Sequence, residues 1–519
     1  MTTQMHFSRW GDPERAAPLG DSDRELAEAA FGARDPETGT PLAAVRLADC
    51  GLTAPLLAEL EGLVGRDYVL TDHGSRVRHT RGKSTPDLLR MRSGDAADAP
   101  DAVVLPQDHE QVAAVVSWCS HRLVALVPFG GGTSVVGGLV ARREGYAGVV
   151  ALDVQRLNRL LSVDSESRTA TLEAGVLGPA AEALLGEHDL TLGHFPQSFE
   201  YASIGGFAAT RSSGQASTGY GRFDSLVVGV RVATPLGTLD LGSAPSSAAG
   251  PDLRELVLGS EGAFGVITSV RVRVRRRPEV KAYYAWRFAS FFDGADALRG
   301  LQQSGIAPTV LRLSDETETA INDPDGGCLL IAGFEGGRTS VDASRAAVTA
   351  RLREVGGRPL GAETGAAWAA GRFDGPYLRD SFLDAGVLVE TLETATFWSD
   401  LRALYDGVRT AVEVSLSEQG TTPIVLCHIS HVYETGASLY FTVAAKQTDD
   451  PLAQWAKAKS AASEAIVAAG ATITHHHAVG RDHKPWLEQE IGLVGVQILR
   501  AVKDRIDPAG VLNPGVLIP

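Results

Sequence analysis

Thirteen residues, Val127 to Leu139, read Val-Pro-Phe-Gly-Gly-Gly-Thr-Ser-Val-Val-Gly-Gly-Leu. Glycine lacks a Cβ, so such a run lets backbone N–H groups close around an anion and accepts positive φ. Thr133 and Ser134 add short hydroxyl donors beside Gly130, Gly131, Gly132, Gly137 and Gly138. The chemistry is that of a phosphate cradle. A nucleoside-triphosphate loop is excluded, because Gly138 stands where that motif requires lysine. The Gly-x-Gly-x-x-Gly fingerprint also fails, with Val135 at the third glycine's place. On glycine content alone, a flexible surface loop is the competing reading.

A second group of reactive residues lies far downstream. His475, His476 and His477 are consecutive, and His428 and His431 precede them. Neighbours in a strand face opposite ways, and no suitably spaced carboxylate ligand follows, so no bound metal is expected. Taken alone, Arg312 in Leu311-Arg-Leu313 reads as strand surface, and Tyr440 as a core aromatic.

Several elements must position these groups. Ala102–Leu105 reads as a strand, Asp108 as the cap of a helix through His121, and Leu123–Val127 as the strand that feeds the cradle. Further strands are expected at Gly148–Leu152 and Arg168–Glu173, with a helix at Leu177–Glu187. A second glycine-rich region, His194 to Gly214, carries Ser203 as a plausible N-cap and a helix start of little bulk at Gly205, Gly206 and Ala209. Leu226–Ala233 and the Pro235-Leu236-Gly237 turn form a hairpin, and Val266–Arg275 alternates valines with solvent-facing arginines. Beyond Pro278, helices are expected at Asp293–Gln303, Val341–Val355 and Phe397–Ser417, and after Asp450-Pro451. Strands are expected at Thr309–Leu313 and Cys328–Phe334, with a hairpin from Pro423 to Ala444. The segment His73 to Arg92, rich in arginine, reads as a solvated basic face, the alternative being an arm that reaches cofactor or substrate.

Pro128-Phe-Gly-Gly-Gly-Thr-Ser134 resembles the pyrophosphate loop of the vanillyl-alcohol oxidase and p-cresol methylhydroxylase family of FAD enzymes. The second glycine-rich region and Leu258 to Thr268 follow in the family's order. The resemblance implies an α+β chain: a two-subdomain FAD-binding fold of the vanillyl-alcohol oxidase type with an antiparallel-sheet-and-helix substrate cap. Its expected parts are an N-terminal segment at 1–98, the FAD-binding domain at 99–278, the cap at 279–495 and a return to the FAD domain at 496–519. It assigns the cofactor to Pro128, the cradle glycines, Thr133 and Ser134, then to Pro196, Ser198, Ser203, Gly205, Gly206, Ala209 and Thr210. Ser260, Glu261, Gly262, Gly265, Val266 and Ile267 complete that set. Covalent members often carry histidine after the glycines, where Thr133 stands here, so non-covalent FAD is expected. Gly131→Val is expected to give a folded protein that lacks its cofactor.

His475 to Gly480, with Lys484-Pro-Trp-Leu487, is similar to the triple-histidine segment of alkyldihydroxyacetonephosphate synthase. Thr309–Asp315, Tyr377–Asp380 and Gly436–Phe441 match three further segments of that enzyme in the same order. The likeness implies exchange of an acyl group for a fatty alcohol on dihydroxyacetone phosphate, with flavin N5 bonding the substrate carbon. It would make Tyr440 the acid/base group with His476 and His477 beside it, Arg379 the phosphate ligand, and Arg312 the brace of the adduct. The alternative is an FAD-dependent 2-hydroxy-acid dehydrogenase or oxidase; Cys427 to Tyr433 lacks the His-x-Gly-Asp-Gly-Asn pattern of that class. A third reading is a catalytically silent flavoprotein that serves as a binding module.

Composition narrows the partners. The 519 residues carry a net charge of −15, which disfavours a nucleic-acid surface. Four cysteines without paired spacing suit a reducing, cytoplasmic setting. No apolar run reaches membrane-spanning length. The expected partner is a small anionic substrate, a phosphate or carboxylate, with a homodimer as a possible assembly.

Overall fold

The computed structural model describes residues 5–16, 18–37, 39–322 and 325–519. Near-continuous apolar runs with short polar breaks build a small sheet ordered Val69–Leu70, Ala102–Val104, Gly148–Asp153 and Val124–Phe129. Its last three strands run parallel. Burial on both faces explains their composition. The crossover helix His109–Arg122 is capped by the Asp108 carboxylate, which accepts the Gln111 N–H at 2.9 Å. It ends at Leu123, which is left-handed at φ 52° and turns the chain into the cradle strand.

A second sheet is antiparallel and five-stranded, in the order Gly237–Leu241, Val227–Thr234, Val266–Arg273, Thr169–Glu173, Leu160–Asp164. Val270 and Val272 are buried in its core while Arg271 and Arg273 are exposed, as alternation requires. Both sheets contribute to one hydrophobic core with the helix Gly178–Gly186.

From Val280 onward a seven-stranded antiparallel sheet forms. Its order is Arg358–Gly361, Val280–Phe288, Cys328–Gly336, Val310–Ser314, Ile424–Ile429, Gly436–Lys446, Val387–Phe397. Helices Phe291–Gln303, Arg338–Glu354, Leu401–Ser417 and Pro451–Ala468 share a core with it. The expected helix from Phe397 starts only at Leu401, and the strand Val387–Phe397 before it is new. That strand is an edge strand in sequence pattern, with Glu390, Glu393 and three threonines among its apolar residues, which hid it.

The chain's end returns to the first sheet. Leu126 donates its N–H to the Val511 carbonyl at 2.8 Å, and the Asn513 N–H reaches the Leu126 carbonyl at 2.8 Å. Asp507 fixes the turn: its buried carboxylate accepts the Val511 and Leu512 N–H groups and the Lys503 ammonium at 2.7 Å. Removing one partner of such a pair strands the other charge in a low-dielectric interior. Asp507→Ala should therefore lower the unfolding free energy by about 3 kcal/mol in urea titrations; a change under about 1 kcal/mol would show the tail to be fastened elsewhere.

Candidate active site

The three glycine-rich regions meet. A Cβ on Gly130 would lie 2.4 Å from Ser203 Oγ, one on Gly138 would lie 2.6 Å from Glu261 Oε1, and one on Gly262 would lie 2.6 Å from Pro128. A Cβ at any of the three would force its neighbour to shift. Ser203 caps the helix Ile204–Thr210, accepting the Gly206 N–H at 3.2 Å. The Thr210 hydroxyl turns back on the Gly206 carbonyl, and the Ala209 carbonyl accepts the Glu261 N–H at 2.9 Å. Ser260 is buried, and Gly265, Val266 and Ile267 open the Val266–Arg273 strand, where Gly265 packs on Val232 and Ala233. Pro196 and Ser198 hold the turn before Ser203 through their carbonyls. Thr133 and Ser134 lie in the cradle loop, where the Ser134 hydroxyl accepts the Gly138 N–H at 3.3 Å.

Three residues outside the predicted set tie this assembly. Asn513 donates from Nδ2 to the carbonyls of Gly138, at 3.0 Å, and Glu261, at 2.6 Å. Gly480 gives its N–H to Glu261 Oε2 at 2.6 Å, and the Arg481 N–H reaches the Val136 carbonyl at 2.9 Å. The triple-histidine segment thus runs directly onto the cradle. Burial pushes the Glu261 carboxyl up to about 8, against the downward pull of the Gly480 hydrogen bond.

The loops fit a dinucleotide. A cavity lined by Gly130, Gly131, Gly132, Leu177, Tyr201 and Lys83 opens over the cradle. Asn513 Oδ1 and His194 Nδ1 are buried without a protein partner, as polar atoms awaiting a ligand edge would be. The His73–Arg92 segment is not the solvated face expected from its charge. Arg76, Arg81 and Lys83 are buried, and Arg78, Arg81 and Lys83 line the same cavity. Arg76 spends its donors on the Pro100 and Ala48 carbonyls, and Arg81 pairs with Asp98. Burial lowers the Lys83 ammonium to about 8.

On the cap sheet, period-two alternation does the positioning. Leu439, Phe441, Cys427, Ile429, Leu311 and Leu313 go to the helix-covered core. Tyr440 and Arg312 therefore fall on the other face, where the cross-strand partners of Tyr440 are Glu393 and His428. The His428 ring stacks on Tyr440 at 4.9 Å, and the His477 and His476 rings stand 5.7 and 6.1 Å away. Burial raises the Tyr440 phenol to about 12 and lowers the His477 imidazole to about 3. At neutral pH the pair is therefore a protonated acid beside a neutral base.

Arg312 is no ordinary surface residue. It pairs with Glu318, and its guanidinium lies 3.1 Å from His428 Nδ1. Burial pushes Glu318 up, but His428 and the permanently charged Arg312 outweigh it and hold the carboxyl at about 2. Arg379 donates to the Lys83 carbonyl at 2.7 Å and leans on Asp380. Opposite faces were expected for neighbouring histidines, but residues 474–477 form no strand. His431 also lies beyond its strand, so nitrogens of His431, His475 and His476 fall within 4.8 Å of one another. They are engaged: His475 Nε2 meets the Tyr433 hydroxyl at 2.6 Å, and the Nδ1 atoms of His475 and His476 meet at 2.9 Å.

The cradle glycines also set a limit on substitution. A Cβ on Gly131 would sit 1.8 Å from the Tyr201 carbonyl oxygen, so the space is filled by backbone and not only by a ligand. The Gly131→Val expectation is corrected accordingly: the fold itself suffers. Even Gly131→Ala should cost about 4 kcal/mol or more and lower the melting temperature of the flavin-free protein; an unchanged melting temperature would show that Tyr201 yields freely.

Residues 100–241 match the model of the FAD binding domain, and residues 277–517 that of the FAD linked oxidases, C-terminal domain. The chain is 34% identical over 491 residues to the alkyldihydroxyacetonephosphate synthase of Dictyostelium discoideum, covering 89% of this chain and 80% of that protein. A solved structure of alkyldihydroxyacetonephosphate synthase superposes with a TM-score of 0.85 at 29% identity, over 98% of both chains. Substrate-bound p-cresol methylhydroxylase, at 17% identity, shares the fold with a TM-score of 0.68 over 90% of this chain and 98% of that one. The chain is thus an FAD-binding enzyme with the two-part flavoprotein fold, and it belongs to the alkyldihydroxyacetonephosphate synthase family.

Proposed function

We propose that the protein exchanges the acyl group of an acylated glycerone phosphate, or a close relative of it, for a long-chain alcohol, forming an ether without net redox change. The observation that carries this reading is the docking of the triple-histidine segment on the FAD cradle through Gly480 and Arg481, which holds Tyr440, His476 and His477 beside the cofactor loops. When bound, FAD supplies the electron-accepting ring that activates the substrate carbon. The chain supplies the rest. His476 or His477, the latter kept neutral by burial, takes the substrate proton, and the Tyr440 phenol, kept protonated by burial, gives its proton to the departing carboxylate oxygen and regains one from the arriving alcohol. Arg379, a planar fork bonded to the Lys83 carbonyl, holds the phosphate, and Arg312 acts through its pair with Glu318.

Pro128, the cradle from Gly130 to Gly138, the Ser203 helix start and the Ser260–Ile267 segment hold FAD non-covalently in this reading, since Thr133 offers no attachment atom. The cap spans residues 279–495, the FAD domain spans 99–278, and 496–519 return to the latter. We place the enzyme in the cytoplasm, its substrate being a small anion and its assembly a homodimer. No helix among the described residues is long and apolar enough to cross a membrane, and all four cysteines are free.

Anaerobic incubation with an acylated dihydroxyacetone phosphate and hexadecanol tests the reaction. Release of fatty acid with formation of the alkyl ether, and no lasting flavin bleaching, is the expected result. Lasting bleaching by a 2-hydroxy acid, with no ether formed, would move the chain to the dehydrogenase class. Acid precipitation should leave yellow flavin in the supernatant; flavin kept on the denatured chain would contradict non-covalent binding. Tyr440→Phe keeps the ring but removes the proton, so single-turnover rates should fall about 10²–10⁴-fold with FAD content unchanged. A variant at the parent rate would remove Tyr440 from the chemistry.

A further inference from the structure

Glu393 is absent from every residue set that the sequence offered, yet more of the site converges on it than on any other side chain described above. It is buried, with a side chain of 0% exposure. Its two oxygens accept the backbone N–H groups of three consecutive residues: His475 at 2.7 Å, His476 at 3.1 and 3.2 Å, and His477 at 2.9 Å. The Thr474 hydroxyl adds a further bond at 2.5 Å. A carboxylate gathered by successive N–H groups is an anion nest built from the protein itself. Through its strand, Glu393 also stands directly opposite Tyr440. One side chain therefore locks the histidine segment to the strand that carries the phenol.

The side-chain contacts carry a second consequence. His476 Nδ1 lies 3.3 Å from Glu393 Oε2, and His477 Nδ1 lies 3.8 Å from Oε1. An ionised carboxylate has only lone pairs to offer, so the ring nitrogen facing it must carry the hydrogen. That places N–H on His476 Nδ1. With that hydrogen, which lies between the carboxylate and His475 Nδ1 at 2.9 Å, His475 Nδ1 accepts and His475 Nε2–H faces the Tyr433 oxygen at 2.6 Å. The lone pair of His476 is left on Nε2, turned away from the carboxylate. Burial pushes Glu393 up, but the facing imidazoles and hydrogen bonds outweigh it and keep the carboxyl well below its usual range.

We propose that Glu393 is a positioning residue, which fixes the backbone of His475–His477 and selects the Nδ1–H tautomer of His476, so that Nε2 is the proton-accepting atom. The proposal rests on the functional reading above only in taking His476 as a reacting group. Its physical logic is that of any carboxylate that orients an imidazole: the wrong tautomer leaves geometry intact and removes the base.

The test begins with the FAD-loaded parent protein labelled with ¹⁵N-histidine, its His476 signals assigned by their loss in His476→Asn. The expected result at neutral pH is hydrogen on Nδ1; hydrogen on Nε2 overturns the proposal whatever the enzyme's substrate is. In Glu393→Gln the new amide can donate to Nδ1, so the tautomer should flip to Nε2–H. Amide exchange of residues 475–477 should also accelerate at least tenfold by mass spectrometry. With acylated dihydroxyacetone phosphate as substrate, kcat should fall about 10²-fold while KM stays within about threefold. Loss of activity together with lost flavin and an unchanged tautomer would mark a merely structural role and overturn the proposal. Should Glu393→Gln not fold, the parent tautomer and Thr474→Val decide: removing only the hydroxyl bond should raise exchange at 475–477, and parent-like exchange would count against the nest. A parent protein that forms no ether but shows the Nδ1–H tautomer would refute the functional reading and leave this assignment standing.

Discussion

The hydrogen bond from the Gly480 N–H to the buried Glu261 carboxyl, backed by the Arg481 N–H on the Val136 carbonyl, joins the two halves of the site. Gly480 closes the histidine segment of the cap, and Glu261 belongs to the third cofactor loop and touches Gly138 of the first. The bond demands strained backbone on both sides. Glu261 and Ala478 have positive φ, at 50° and 74°, in a region that side chains avoid, and Gly480 itself, at φ 57°, leaves no room for a Cβ beside the Val136 carbonyl. Such conformations persist only where surrounding contacts over-determine them. Asn513, which also has positive φ, supplies one such contact by bonding both loops at once.

From that seam the electrostatics follow. A water-poor space between sheet and cradle penalises every charge that is not paired. Glu318 solves this by pairing with Arg312, and Glu393 by collecting backbone N–H groups, whereas burial raises the Glu261 carboxyl. Tyr440, His477 and His194 solve it by staying neutral. A neutral acid and neutral bases side by side are what proton transfer at neutral pH requires. The same exclusion of water that stabilises their neutral forms strengthens any field that they meet.

The cradle and its flanking strands were legible because they obey local rules. Asp108 caps its helix, alternation buries Val270 and Val272, and glycine marks every close approach. Tyr440, which taken alone reads as a core aromatic, was singled out only by the resemblance; strand period separates it from the core-facing Phe441. What escaped were residues whose roles depend on distant partners. Glu393 looks like one more polar residue in a threonine-rich strand, and nothing nearby announces three N–H donors 82 to 84 positions away. The arginine-rich segment misled in the opposite direction: charge density suggested solvent, whereas Arg76 and Arg81 are buried against carbonyls and Asp98. The histidine run misled because strand geometry was assumed where the chain bends.

The central claim is spatial, namely that the cap's phenol and imidazoles are held against the cofactor held by the glycine cradle. A crystal structure of the FAD complex tests it most directly. The account predicts the diphosphate within about 3 Å of backbone N–H groups between Gly130 and Gly138, and the flavin ring beneath Tyr440, His476 and His477. A flavin ring that lies away from Tyr440, or a diphosphate bound outside the cradle, would contradict it.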